Sequence, residues 1–455
     1  MPPSVKVIED ARIAVPPTAA LPPEPLRLSA LDAQWITLPL IQRLLIFVDD
    51  GTGNIPPFAA AVDALRASLA ETVARFVPLA GRIVHQADTG DAAIDCTEAG
   101  VGEGVRFLVA EMSEDVDAGR LAGDEDHDAE AFGLLVPVLD AGQLPAETMA
   151  AQVTRLRGGL ALGVAMHHAV ADGRSVWTFL EAWAAACRGD GDADGAAAEP
   201  PAFDRAAIKL PGGEELARVV LRKHAPNLPM AAVAGHLIRP NLSRRTFAIA
   251  AQDMRRLKQR IAELSPSEHA AAAPPSSFVA VAALAWVSFV RAKHPAGLVS
   301  PGDEVYLFFF ADCRARLDPP PGDHYFGTCI SGCLARATAR DLLAGNGVGV
   351  AAALVAEEVR RAAEDPLAGW DWMSTANGVS MDRLVNLAGS TRFPAYEAAD
   401  FGWGPPGRTE LVTMNQEGQV VLVAGKKKGG GVQASVSLHP AHMAAYKSHF
   451  LSYLG

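Results

Sequence analysis

Cysteine is scarce in this chain: 455 residues carry five thiols, Cys96, Cys187, Cys313, Cys329 and Cys333. An odd number without paired spacing excludes a disulfide framework, and no companion pattern turns Cys329 and Cys333 into a zinc site. Buried, reduced thiols are expected, and no bound metal. Long apolar runs are missing too. The longest, Phe278 to Val290, falls short of the roughly 20 residues that cross a bilayer and predicts a buried helix. Met1 to Asp10 lacks the apolar segment of a secretory signal, so a cytoplasmic protein without membrane contact is expected. The sequon Asn241-Leu242-Ser243 then has no consequence. Positive charge is also short, and a formal net charge of -12 excludes the concentrated basic face that nucleic acid requires. The only lysine run, Lys426-Lys427-Lys428, precedes three glycines and reads as a solvated hairpin tip. No G-x-S-x-G and no G-x-x-x-x-G-K-[ST] occurs, which disfavours a serine hydrolase and a P-loop enzyme.

What is present suits a folded enzyme of more than one domain. The chain is 49% hydrophobic and 20% charged, enough apolar side chain for a sizeable core, and its length suggests two or three domains. Apolar spacing predicts helices over Phe58–Phe76, Gln252–Leu264, Ser276–Lys293, Val348–Ala363 and His439–Leu454. Strands are expected at Gly159–Met166, Arg245–Ala250 and Val305–Ala311, with a hairpin of Val420–Gly425 and Val432–Leu438. Strands and helices interleave in both halves, which predicts an α/β or α+β fold. Between the halves, Arg188 to Pro201 is small, acidic and turn-rich, and regular structure is expected to stay sparse until about Arg244. The expected division is 1–187, a linker and crossover over 188–243, and 244–455.

Chemistry concentrates after the strand Gly159–Met166, in His167-His168-Ala169-Val170-Ala171-Asp172-Gly173. Gly173 supplies a permissive turn, and Ser175 is expected to cap the helix that follows. A histidine on a loop at the end of a buried strand is where a scaffold would hold a general base. A carboxylate four residues on could fix the loop or the ring. The spacing alone is weak, since about half an H-x-x-x-D arises by chance in such a chain, and a structural histidine fits it equally. His167, one residue away on extended backbone, should turn to the other side and hydrogen-bond structurally.

A second segment is far more specific. Asp400-Phe401-Gly402-Trp403-Gly404 is a pentapeptide expected by chance about once in ten thousand sequences of this length. H-x-x-x-D followed by D-F-G-W-G resembles the BAHD family of plant acyl-CoA-dependent acyltransferases. Asp312-Cys313-Arg314-Ala315-Arg316 and Tyr325-Phe326-Gly327-Thr328-Cys329 are similar to that family's D-x-R-x-R and Y-F-G-N-C segments. Ala388-Gly389-Ser390-Thr391-Arg392-Phe393 is similar to its branch acylating anthocyanins and phenolic glucosides.

The resemblance implies two domains of the chloramphenicol acetyltransferase type with the active site at their interface. It implies a malonyl or hydroxycinnamoyl group passed from CoA to a hydroxyl of a phenolic or flavonoid glycoside. His168 would be the base, with no acyl-enzyme and with acyl-CoA as co-substrate rather than a resident cofactor. Asp172 would be structural, paired with Arg314, and Gly173 would support the same loop. Asp400, Phe401, Gly402, Trp403 and Gly404 would form a structural motif away from the reacting atoms. Lys258, Ser276 and Ser277 resemble positions touching CoA, although a solvated lysine and a helix start explain them too. Arg174 could meet a malonyl carboxylate or only cap surface charge. Ser390 and Thr391 could donate to the oxyanion or only make turns. Thr328 in place of asparagine, and Thr391 after the serine, keep an aromatic donor open. An amine acceptor, giving hydroxycinnamoyl or benzoyl amides, is the alternative within the chemistry. A non-catalytic acyl-CoA-binding regulator is the alternative outside it. A monomer is expected.

Overall fold

The run Gly159-Leu-Ala-Leu-Gly-Val-Ala-Met166 has small and apolar residues at every position, the pattern of a strand covered on both faces. It forms one here, between the strands Met149–Leu156 and Ile41–Val48. The computed structural model describes all residues except 1–2, 52, 191–198, 234–238, 240, 266–273, 415, 427, 428, 430 and 455. The chain divides into two units, one of residues 1–235, 317–329 and 394–413, the other of 236–316, 330–393 and 414–455.

The first unit is built on a six-stranded mixed sheet. Its order is Val5–Ile13, Val105–Met112, Met149–Leu156, Gly159–Met166, Ile41–Val48 and Arg408–Leu411. The last of these departs from the expected continuous C-terminal domain over 244–455. Arg408–Leu411 adds antiparallel to Ile41–Val48, with Leu411 opposite Arg43 and Arg408 opposite Ile46, so D-F-G-W-G belongs to the first unit. A four-residue strand satisfies its backbone on a distant partner, which local pattern does not reveal. The helices Phe58–Arg75 and Gly173–Arg188 pack on each other. Trp183 of the latter, fully buried, donates its indole N–H to the Leu65 carbonyl at 3.2 Å.

The stretch expected to be sparse in regular structure carries a helix, Gly213–His224, with Ala217, Val220 and Leu221 buried. Glu214 and Glu215 lie in its first turn and Arg222, Lys223 and His224 in its last, complementing the helix dipole. Only three apolar residues mark its inner face, so the charged composition hides the period. Residues 191–198 of the acidic segment lie outside the described residues.

The second unit has its own six-stranded sheet, ordered Ser243–Ile249, Val432–Leu438, Gln419–Ala424, Leu384–Gly389, Glu304–Asp312 and Ile330–Thr338. Its core surrounds the helix Ser277–Lys293, buried at every position from Val279 to Val290, as expected of a helix apolar on all sides. The helices Ala251–Leu264, Gly347–Glu364 and Pro440–Leu451 pack against it. Each fully buried Val, Leu or Phe here contributes roughly 1.5–3 kcal/mol. The expected hairpin forms from Gln419–Ala424 and Val432–Leu438, although Lys427 and Lys428 of its tip lie outside the described residues. Burial pushes the thiols of Cys96, Cys313 and Cys333 up to about 12, so they stay protonated. Among the described residues, no helix is long and apolar enough to cross a membrane.

Candidate active site

Six residues, 167–172, join the strand Gly159–Met166 to the helix Gly173–Arg188. His167 is fully buried. Its Nδ1 accepts the Ala169 N–H at 3.2 Å, which places its remaining proton on Nε2. Burial and the neighbouring His168 lower its imidazole to about 3. His168 keeps partial exposure, while its Nδ1 is enclosed without a hydrogen-bond partner. Burial lowers its imidazole to about 4, with its own backbone carbonyl and the Asp172 charge acting in the other direction. The ring is therefore neutral at pH 7, the form a general base needs.

Asp172 is the N-cap of the helix, a role expected of Ser175 from sequence. Its Oδ1 accepts the Ser175 N–H at 3.0 Å and its Oδ2 the Cys329 N–H at 3.1 Å. No hydrogen bond joins its carboxylate to the His168 ring among the described residues. Gly173 is the first helical residue rather than a separate turn. Ser175 lies buried in the first turn instead, where its hydroxyl donates to the Gly327 carbonyl and accepts the Gly327 N–H, both at 3.1 Å.

Tyr325-Phe326-Gly327-Thr328-Cys329 thus acts through its backbone, laid along the start of the helix Gly173–Arg188. Thr328 donates its N–H to Asp32 Oδ1 at 3.1 Å, and its hydroxyl lies 3.5 Å from the His168 carbonyl. A Cβ on Gly327 would stand 2.6 Å from the Arg205 guanidinium, so that position admits only glycine. Arg205, 7% exposed, pairs with Asp32 at 3.4 Å and donates to the carbonyls of Val170, at 3.2 Å, and Phe326. The loop carrying His168 is held from both sides by buried ionic groups.

Sequence reasoning missed Asp32, Arg205 and above all Trp35. Ser29 and Asp32 make a capping box on the short helix Ala30–Ala33, and two residues later Trp35 stacks flat on His168. The ring centroids are 3.6 Å apart and the planes 6° from parallel. An indole face fixes the imidazole's rotamer and stabilises the imidazolium formed when the ring takes a proton. Ser29-x-x-Asp32 before an apolar stretch was the available signal; nothing local marks Trp35 as the ring's neighbour.

D-F-G-W-G closes on itself. Asp400 Oδ1 accepts the N–H groups of Gly402, at 2.9 Å, and Gly404, at 3.0 Å. Both glycines have positive φ, 97° and 84°, the left-handed region that favours glycine. Phe401, buried, meets Trp183 edge-on at 5.5 Å, Trp403 meets Phe47 at 5.4 Å, and Arg188 donates to the Asp400 carbonyl. The segment clamps the far end of the helix whose near end Asp172 caps.

The remaining sequence candidates separate by unit. Arg174 is partly exposed beside Asp323, 3.4 Å away. In the second unit, Arg314 is fully buried and 3.3 Å from Asp312. Lys258 lies on the helix Ala251–Leu264. Ser276 caps the helix Ser277–Lys293, accepting the Val279 N–H at 3.2 Å. Ser390 Oγ accepts the Arg392 N–H at 3.2 Å in a turn that includes Thr391.

The profile of the Transferase family matches residues 4–452. Phenolic glucoside malonyltransferase 1 of Arabidopsis thaliana is 28% identical, covering 97% of this chain and 96% of the relative. Putrescine hydroxycinnamoyltransferase 1 of Oryza sativa subsp. japonica is 30% identical over 85% of this chain and 86% of its own. The crystal structure of vinorine synthase shares the fold, with a TM-score of 0.75, 20% identity, and coverage of 99% and 98% of the two chains. The match spans both units, and the chain belongs to the Transferase family, the BAHD acyl-CoA-dependent acyltransferases.

Proposed function

We propose that this enzyme transfers a malonyl group from CoA to a hydroxyl of a phenolic or flavonoid glycoside, with His168 as general base. The observation that carries the reading is the His168 imidazole, neutral, stacked on Trp35 and borne on a loop braced by buried polar groups. The full-length similarity to a malonyltransferase of phenolic glucosides supports the donor and acceptor class.

In the proposed step the imidazole takes the acceptor hydroxyl proton as its oxygen attacks the thioester carbonyl. The tetrahedral intermediate collapses with cleavage of the carbon–sulfur bond, and the imidazolium returns the proton to the departing thiolate. A thioester is already activated, so no acyl-enzyme is required. Asp172 contributes by holding the helix start and Cys329 rather than by touching the ring. Ser390 and Thr391 are proposed as oxyanion donors, and Lys258, Ser276, Ser277 and Arg174 as CoA contacts. Ser276 and Ser277 stand at a helix N-terminus, where anions are favoured. We place the enzyme in the cytosol as a monomer, a reading that five buried or half-buried free thiols support.

The similarity to a putrescine hydroxycinnamoyltransferase favours a second reading, an aromatic acyl group passed to an amine. Purified protein incubated with malonyl-CoA or coumaroyl-CoA, against phenolic glucosides and against aliphatic amines, separates the two by free thiol released and product mass. Malonylated glucoside is expected. Amide as the main product would replace the first reading by the second, and no thiol release from any pair would leave a non-catalytic acyl-CoA binder.

A further inference from the structure

Arg43 occupies the strand Ile41–Val48, facing Val164 on one side and Leu411 on the other. It is 5% exposed. Among the described residues its guanidinium meets no hydrogen-bond acceptor and no carboxylate within ion-pair distance, and its Nε is enclosed without a partner. Its neighbour is the Trp177 ring, 5.1 Å from the guanidinium carbon, whose own Nε1 is likewise enclosed and unpartnered. Burial lowers Arg43 to about 10, which leaves it a cation at neutral pH. The nearest acidic influence, Glu410, is taken by Arg408 at 2.9 Å and His127 at 3.3 Å.

The other buried arginines of this unit are supplied by the chain. Arg205 has Asp32 and two carbonyls; Arg408 has Glu410 and the carbonyls of Leu121 and Asp124. A buried cation with no anion is costly. The cost is sensible where a ligand brings the counter-charge. The position favours this. Val164 stands four residues before His168, about 13 Å of extended chain, a span that a long arginine side chain and a three-carbon acyl group share. Trp177 lies five residues after Asp172 on the catalytic helix, and helical side chains lean toward the N-terminus, here the end bearing the loop.

We propose that Arg43 receives the free carboxylate of a dicarboxylic acyl-CoA donor, with the Trp177 indole N–H as a second donor. Arg174, the candidate from sequence, is partly exposed and already faces Asp323; Arg43 is the enclosed cation. The inference rests on the acyl-transfer reading above and assigns its donor selectivity.

The test compares malonyl-CoA with acetyl-CoA, which lacks the carboxylate, in the wild type, Arg43→Met and Arg43→Lys, using one glucoside acceptor. Arg43→Met should lower kcat/KM for malonyl-CoA by about ten- to a hundredfold, leave acetyl-CoA within about twofold, and not lower the melting midpoint. Arg43→Lys should fall between. Equal losses with both donors, or unchanged malonyl transfer, overturn the assignment. Calorimetric binding of both donors to the wild type covers a variant that fails to fold. Malonyl-CoA should bind at least about tenfold tighter than acetyl-CoA, and equal affinities overturn the assignment. If the wild type turns over neither donor, acyl transfer fails, and the same binding comparison in Arg43→Met, where the preference should vanish, still decides Arg43.

Discussion

Each unit contains a β-hairpin followed by a helix, and the two junctions differ. In the second unit, Val432–Leu438 reaches the helix Pro440–Leu451 through one residue, His439. His439 is exposed, its Nδ1 accepts the Ala441 N–H at 3.2 Å, and Pro440 starts the helix. In the first unit, Gly159–Met166 reaches Gly173–Arg188 only after six residues, five buried and His168 half-buried. One residue suffices to turn a strand into a helix. The five additional residues therefore serve something other than connection. They place two imidazoles and a carboxylate where burial is costly, and the cost is offset by partners drawn from distant chain: Trp35, Arg205 and the backbone of 327–329. The cheap junction is folding; the expensive one carries the proposed active site.

The largest effect that would sharpen this contrast is the loss of the proposed base. His168→Ala should cut free-thiol release by about a hundredfold to ten-thousandfold while leaving the melting midpoint unchanged or raised. Retained turnover within about tenfold of wild type would break the contrast. Asp172→Ala should affect both properties, because it strips acceptors from the Ser175 and Cys329 amides. About 3–5 kcal/mol of stability should be lost in denaturant unfolding, with turnover falling alongside. Activity lost without any change in stability would point to direct chemistry by the carboxylate.

Phe401→Ala tests the clamp at the far end of the same helix. It should cost about 3 kcal/mol and lower activity only as far as folded protein is lost, so turnover per folded molecule should stay near wild type. The smallest effect belongs to the plain junction. His439→Ala should cost about 1 kcal/mol, the worth of a helix cap, and leave thiol release untouched.

The sequence made one side of this comparison readable and left much of the other hidden. The strand Gly159–Met166, the helix Ser277–Lys293 and the hairpin of the second unit follow from apolar spacing, since those elements are covered by their own neighbours. His168 and Asp172 were readable because their spacing is local. Arg408–Leu411 was not, because a strand of four residues, Arg-Thr-Glu-Leu, takes its identity from the distant edge it joins. Nor were Trp35 on the imidazole, Arg205 on Val170, or Arg43 in the sheet. The first and last are defined by partners more than a hundred residues away and Arg205 by one 35 residues away, and spacing carries no information at such ranges. The helix cap was misplaced by three residues for a related reason: Asp172 and Ser175 both suit the role, and only the Gly327 backbone, which engages Ser175, decides between them.

The pH dependence tests the central claim, that the loop encloses the base in its neutral form, most directly. An imidazole in the unfolded chain titrates near 6.5, and folding lowers His168 to about 4 and His167 to about 3. Both sites bind protons more readily unfolded, so stability should be full above pH 6.5 and decline as pH falls from there toward 4. Turnover measured in brief pH jumps, with acetyl-CoA so that no acyl carboxylate titrates, should hold level to about pH 5. It should then fall tenfold per unit below about pH 4. An acid limb centred near 6.5 would show an ordinary solvated histidine and contradict the account.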